Sequence, residues 1–413
     1  MNTVLDKKSP LLVSSLGLWL FVAPISFGYE SFMRMNDLIC GFLLVVLGFI
    51  SMKTDKKALP ISCAAIGFWL QLAPLFFWAP EVVSYLNDTL VGMVLMLLVF
   101  SWPSLSDQDS KDEVPPGWSF NPSDWKVRKI TVFLALVAWF LARYLASYQL
   151  GYIQTIHDPF FGQGSIQVIS SSLAKGFPVS DAGLGAFGYS LEFLLGLIGS
   201  SRRWKTMPWV TALFGMMVIP AGMISIILII SQPVLVGAWC GICLLIAFCM
   251  LVMILLTVPE MFATLQLLKR AKKKGRAWQV FLQGDLSSAL LQQKPICRNK
   301  TSEFGFTLPW NLLLLTCLGI WLICSPSVFH SLRPASDSNF IAGPLVVAFS
   351  IISCSEVVRN LRWVNAFIAG GLVFSTFFLK GFSEMGLVNQ WLTSILIFVL
   401  AFPKGNRCER YGK

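Results

Sequence analysis

The chain has 413 residues, of which 55% are hydrophobic and 13% charged, with a mean hydropathy of +0.69 and a formal charge of +11. Soluble domains are about 45–50% apolar and about 25% charged, so this composition excludes an ordinary soluble enzyme and a disordered chain. It points to an all-α polytopic membrane protein.

Apolar stretches approaching spanning length, about 17–25 residues each, recur along the chain. Twelve are read, at 11–27, 37–52, 63–78, 89–102, 130–150, 182–199, 207–231, 235–257, 308–325, 339–355, 363–379 and 388–402. The first lacks a small-residue cleavage site and is expected to stay as an anchor. With the N-terminus inside, the inner loops collect all but five of the 32 Lys and Arg. Arg34, Lys175, Arg333 and Lys380 fall opposite, and Arg143 lies within or beside a helix. This is the positive-inside pattern. The charge is therefore assigned to topology and no nucleic-acid partner is expected, while the run "KRAKKKGR" on the inner face would meet membrane lipids. The expected location is a bacterial inner membrane, with both termini cytoplasmic.

The first four helices contain an internal repeat. "LGLWLFVAPISFGYESFMRMNDLICGFLLVVLGFIS" (16–51) aligns with "IGFWLQLAPLFFWAPEVVSYLNDTLVGMVLMLLVFS" (66–101), pairing Trp19 with Trp69, Pro24 with Pro74, Asn36-Asp37 with Asn87-Asp88 and Gly41 with Gly92. A third copy at 318–353 keeps Trp321, Pro326, Asn339 and Gly343, and a weaker fourth at about 368–402 keeps Asn389 and Trp391. Each unit reads as a helix, an outer turn and a returning helix. Proline is expected to end the first helix, Asn or Asp to cap the second, and Trp to sit at headgroup depth. These repeats resemble the SPW-repeat membrane family, and a packing hairpin without chemistry is the expected role.

The resulting layout is two SPW-like hairpins over 1–102, a cytoplasmic linker over 103–129 and a four-helix core over 130–257. A basic cytoplasmic segment over 258–305, two further hairpins over 306–403 and a cytoplasmic tail over 404–413 complete it. Trp118 and Trp125 of the linker are expected to anchor at the inner interface. The core carries one long outer loop, 151–181, in which "HDPFFG" and "KGFPVSDAG" would form a cap, with Phe160 and Phe161 reaching the interface.

Ten cysteines give a CxxC by chance too often for spacing to identify a site, and most lie in apolar helices as small hydrophobes. Cys240 and Cys243, in "QPVLVGAWCGICLLIAFCM", differ by position. They open the eighth apolar run at its outer end, where free N–H groups and the helix dipole lower a thiol pKa and disulfides persist. Pro233 and Gly237 suit a tight turn into that helix. From these residues alone, a redox dithiol and an inert pair both stay open.

Four helices with a long outer loop after the first and CxxC at the outer end of the fourth resemble the vitamin K epoxide reductase family. The supporting stretches are "SIQVISSSLAKGFPVSDAGLGAFGYSLEFLLGLIG", "RRWKTMPW" and "QPVLVGAWCGICLLIAFCM". The resemblance implies a membrane thiol–disulfide oxidoreductase passing electrons between the catalytic Cys240–Cys243 pair and a quinone, ubiquinone or menaquinone, with no metal. It places Cys243 toward the quinone and Cys240 toward a partner thiol, for which a periplasmic thioredoxin-like protein is the expected carrier. Ser180 and Asp181 match the polar position that binds a quinone oxygen. The sequence departs from the family in having no cysteine in loop 151–181, where Ser165 stands in place of one, and in having Ala247 where some members carry tyrosine. The alternative is a non-catalytic membrane scaffold or small-molecule carrier on the same fold. Arg143, Asp181 and Glu192 could be structural pairs or part of a quinone or ion site. His157 and His330 lie apart, so no metal site is expected.

Overall fold

The computed structural model describes residues 8–30, 32–54, 58–100, 114–285 and 305–405. Residues 101–113 of the linker, 286–304 of the basic segment with Cys297, and 406–413 of the tail with Cys408 lie outside the described residues. Among the described residues every named element is helical, as expected where lipid cannot satisfy backbone polar groups. The long helices are α1 Lys8–Phe27, α2 Phe32–Lys53, α3 Ala58–Phe76, α4 Val82–Phe100, α5 Trp125–Gln149, α7 Asp181–Leu197 and α8 Pro208–Ser231. They continue as α9 Gly241–Lys273, α11 Trp310–Val328, α12 Ala335–Ile352, α13 Arg362–Phe378 and α14 Glu384–Ala401, with short α6 Gly164–Ile169 and α10 Ala277–Gln283 between them. All twelve predicted runs thus form helices. Among the described residues, 11 are long and apolar enough to cross a membrane, and α7, with 17 residues, falls just short of that length.

The chain divides into two compact units, and α5 contributes to both. The first comprises residues 1–109, 135–157 and 169–200. Its core packs Val13, Leu20, Leu44, Leu70, Val91 and Leu95 between the first two hairpins. Within each hairpin the backbones touch: a Cβ on Gly17 would lie 2.7 Å from the Gly41 carbonyl oxygen, and one on Gly92 2.6 Å from that of Gly67. Small residues allow this approach, which in lipid supplies the packing that water would otherwise drive. The repeats also bond reciprocally. Trp19 Nε1 donates to Asn87 Oδ1 (2.8 Å) and Trp69 Nε1 to Asn36 Oδ1 (2.7 Å), while Asn36 Nδ2 donates to Asp88 Oδ2 (3.1 Å) and the Tyr29 hydroxyl to Asp37.

These bonds correct the capping expectation. The second helices start at Phe32 and Val82, so Asn36-Asp37 and Asn87-Asp88 lie inside them. Asn36, Asn87 and Asp88 serve the contacts between repeats, while Asp37 takes the Tyr29 hydroxyl within its own repeat. Proline does not end the first helices either. Pro24, Pro74 and Pro326 lie inside α1, α3 and α11, close to their ends, where Pro24 and Pro326 still accept from Gly28 N and Ser331 N through their carbonyls.

The second unit comprises residues 110–134, 158–168 and 201–413. The third hairpin repeats the glycine contact, with a Gly319 Cβ 2.9 Å from the Gly343 oxygen, and Trp321 Nε1 donates to Asn389 Oδ1 at 2.9 Å. Leu255 of α9 joins Leu312, Leu322, Val346 and Leu372 in one apolar cluster, so the core helix and the later repeats share a core. Past the middle of α9, Glu260 receives Arg203 Nε and Nη2, both at 2.6 Å, and the Ser123 hydroxyl at 2.5 Å. Trp118 corrects another expectation. It is buried rather than anchored at an interface, and its Nε1 donates to Gln266 Oε1 at 2.9 Å, fastening the end of the linker onto α9. The eighth apolar run starts at residue 235, but α9 begins at 241 and continues to 273, through most of the basic run.

Candidate redox centre

The turn before α9 is set by local backbone chemistry. Residues Gln232–Val236 form a π-helical turn closed by Gly237 at φ +76°, whose N–H returns to the Gln232 carbonyl at 2.9 Å. Only glycine takes that left-handed conformation freely. Cys240 is the N-cap of α9 in extended backbone conformation, and its sulfur accepts the Cys243 N–H at 3.1 Å. Cys240 and Cys243 are disulfide-bonded, with Cα atoms 5.2 Å apart. The three-residue spacing thus places both sulfurs at the helix N-terminus, where backbone N–H groups and the dipole favour thiolate over thiol in the reduced pair.

Two buried side chains fix this cap. Gln232 Oε1 accepts the Cys240 N–H at 3.0 Å, and Asp158 Oδ2 accepts the Gly241 N–H at 2.8 Å. Asp158 also takes the Ser165 hydroxyl (2.7 Å) and the N–H groups of Phe160 (2.9 Å) and Phe161 (3.1 Å). Burial pushes its carboxyl up, but the Ser165 hydroxyl and the N–H groups of Gly241, Phe160 and Phe161 outweigh it and hold the pKa below the usual carboxylate value. The glycine of Cys-Gly-Ile-Cys is steric, because a Cβ at 241 would lie 2.7 Å from Asp158 Oδ1. The cap helix α6 presses just as closely: a Cβ on Gly164 would sit 2.3 Å from the Trp239 carbonyl oxygen. Phe161 and Phe340 meet the Trp239 ring at 6.4 and 5.9 Å between centroids. Under this cover Cys240 has 0% exposure and Cys243 is half-buried. Cys240, at the very N-terminus of the helix, is thus the more covered of the two.

Ser165 is itself buried and serves as the donor that orients Asp158. Asp158, Gln232 and the role of Ser165 escaped sequence reasoning. The available signal was an acidic residue beside proline in a loop otherwise poor in charge.

Ser180 and Asp181 lie in the first unit, at the start of α7. Ser180 caps that helix by accepting the Gly183 N–H at 2.9 Å and donates its hydroxyl to Gln149 Oε1 at 2.5 Å. Asp181 accepts from the Ala182 N–H at 2.7 Å and from Gln149 Nε2. Gln149 is therefore the hub of this cluster, a residue the sequence did not single out. Arg143 stacks over Tyr85 and Trp139 at 4.9 and 4.6 Å. Glu192 is buried, with Oε2 lacking a hydrogen-bond partner. Among the described residues no group of three His, Cys, Asp or Glu could hold a metal ion.

Residues 129–258 match the Vitamin K epoxide reductase family, and residues 9–101 and 309–403 match the SPW repeat domain. Both resemblances read from the sequence are borne out. The core thus has a membrane thiol–disulfide oxidoreductase-like fold with repeat hairpins before and after it. No curated protein and no solved structure matches the chain.

Proposed function

We propose, from a core that matches the vitamin K epoxide reductase family, that this integral membrane protein passes electrons between the Cys240–Cys243 dithiol and a membrane quinone. The observation carrying this reading is the CxxC pair at the N-terminus of an apolar spanning helix, with Cys240 as its cap. In the reduced pair, the helix N-terminus and the Cys243 N–H favour a Cys240 thiolate. Both S–H bonds break, one S–S bond forms, and two electrons with two protons leave the protein. A quinone supplies the lipid-soluble acceptor and becomes the quinol. An external dithiol then reopens the disulfide and is itself oxidised, with a periplasmic thioredoxin-like protein as its proposed carrier.

Cys243 is the proposed quinone-side residue and Cys240 the one attacked by the external thiol. Because Cys240 is fully covered, that attack requires the segment 158–164 to lift from Trp239–Gly241. Ser180 and Asp181 are the proposed contacts to a quinone oxygen. The Ser180 O–H is a donor of the right kind for that acceptor, and binding would take it from Gln149. The charge pattern supports cytoplasmic termini in a bacterial inner membrane, with the dithiol facing outward.

Purified protein, reduced and mixed with ubiquinone or menaquinone, should form the Cys240–Cys243 disulfide by mass spectrometry with one quinol per disulfide. If neither quinone produces it, the reading fails. A non-catalytic scaffold is the second reading, favoured by Ser165 in the relay position and by the burial of Cys240. It requires that Cys240→Ser with Cys243→Ser leave cellular function unchanged.

A further inference from the structure

The turn that delivers Cys240 is fastened by a repeat hairpin as well as by the core. Arg333, in the loop between α11 and α12, donates Nη2 to the Pro233 carbonyl at 2.7 Å. Its guanidinium is steadied by Asp337, with Nε 3.5 Å from Oδ1. Phe340 of α12 meets the Trp239 ring edge to face, at 5.9 Å and 83°. These two contacts grip segment 233–239 at its two ends, and each lies one residue from a group that sets the cap. Pro233 follows Gln232, whose side chain takes the Cys240 N–H, and Trp239 precedes Cys240 itself. Between them lies Gly237 at positive φ, which gives the segment little stiffness of its own.

We infer that Arg333 and Phe340 are positioning residues for the dithiol, so that the repeat domain at 309–403 is part of the redox apparatus rather than a packing accessory. The inference rests on the proposed redox role of Cys240–Cys243 and adds a role for a domain outside the family core. Neither residue touches a sulfur. Both hold the turn so that the Cys240 sulfur stays over the free N–H groups of α9, and the Arg333 cation beside the turn also favours the thiolate. Releasing the turn therefore destabilises the reduced, ionised pair relative to the disulfide.

The test uses the full-length protein in detergent with two readouts, neither involving a quinone. In the reduced protein, the pH midpoint of Cys240 alkylation should rise in Arg333→Ala and in Phe340→Ala. In glutathione buffers of fixed ratio, the disulfide-to-dithiol ratio should increase about threefold to tenfold in both, because a less stabilised thiolate makes the couple more reducing. Arg333→Lys, which keeps the charge and a donor, should recover most of the wild-type behaviour. If the alanine variants do not reach the membrane, Arg333→Gln and Phe340→Leu carry the same readouts. Unchanged alkylation profiles and unchanged glutathione equilibria would overturn the inference and leave the hairpin a packing element. Failure of quinone to oxidise the wild-type pair would instead count against the proposed function alone.

Discussion

Asp158 shows how much of the dithiol's geometry rests on one residue outside the CxxC pair. Its carboxylate joins the outer loop to Gly241 across 83 residues of sequence. Hydrogen bonds to charged groups contribute about 1.5–3 kcal/mol, and a buried N–H left without its acceptor costs about 1–3 kcal/mol. Asp158→Ala should therefore destabilise the packing around the N-terminus of α9 by about 2–3 kcal/mol and speed alkylation of Cys240 in the reduced protein. The pH dependence follows from the depressed folded pKa of this carboxyl. Its contribution is fully present above the unfolded value, about 3.9, and is lost as pH falls through the lower folded value. The difference in thermal midpoint between wild type and Asp158→Asn should thus hold steady from about pH 5 to 8 and shrink only in acid below about pH 4. Cys354 supplies the contrast to a helix-capping cysteine. Burial, partly opposed by Arg359, pushes its thiol up to about 11, so Cys354 should resist alkylation at pH 8 in folded protein and react on unfolding. The CxxC pair was legible because its spacing and its place before an apolar run are local. Asp158, Gln232 and Gln149 were not, because each acquires its role from a partner distant in the chain.

Among the helices, the repeats make the sharpest structural statement. Gly41→Val would put a side chain where the Gly17 carbonyl oxygen already lies 2.7 Å from a Cβ, and backbone cannot yield as a flexible side chain can. A cost of about 1–3 kcal/mol is expected, read as a lower midpoint of detergent-induced unfolding. Gly188→Ala, with nothing within 4 Å of its Cβ, is the neutral control. Along α9, well removed from the dithiol, Arg203→Ala would strand the buried Glu260 carboxylate. Breaking a buried ion pair costs about 3–5 kcal/mol, so this variant should lose membrane abundance or thermal midpoint more severely than Glu260→Gln. Helix existence was legible throughout, because apolar runs of spanning length have few alternatives in lipid. Boundaries were less so. Asn36-Asp37 read as a cap but continue a helix because Trp69 and Tyr29 satisfy their side chains. Residues 235–240 read as helix but form a turn because Gly237 takes a left-handed conformation.

For the whole molecule, the two family resemblances were legible in two differences of pattern: the repeated Trp, Pro and Gly positions and the CxxC core. The way the chain partitions into units was not, because α5 serves both and the outer loop is shared between them. The topology makes its own prediction. A protease site inserted at the exposed Ser170 should be cut from outside intact spheroplasts, and one inserted beside the exposed Trp278 only after permeabilisation. Cleavage of both from the same side would reverse or refute the orientation. The central claim, that Cys240–Cys243 cycles against a membrane quinone, is tested most directly by trapping the pair's redox state in living cells with an alkylating reagent. The disulfide should predominate in quinone-replete cells, with reduced, doubly alkylated protein accumulating when quinone synthesis is blocked. A redox state indifferent to quinone depletion would contradict it.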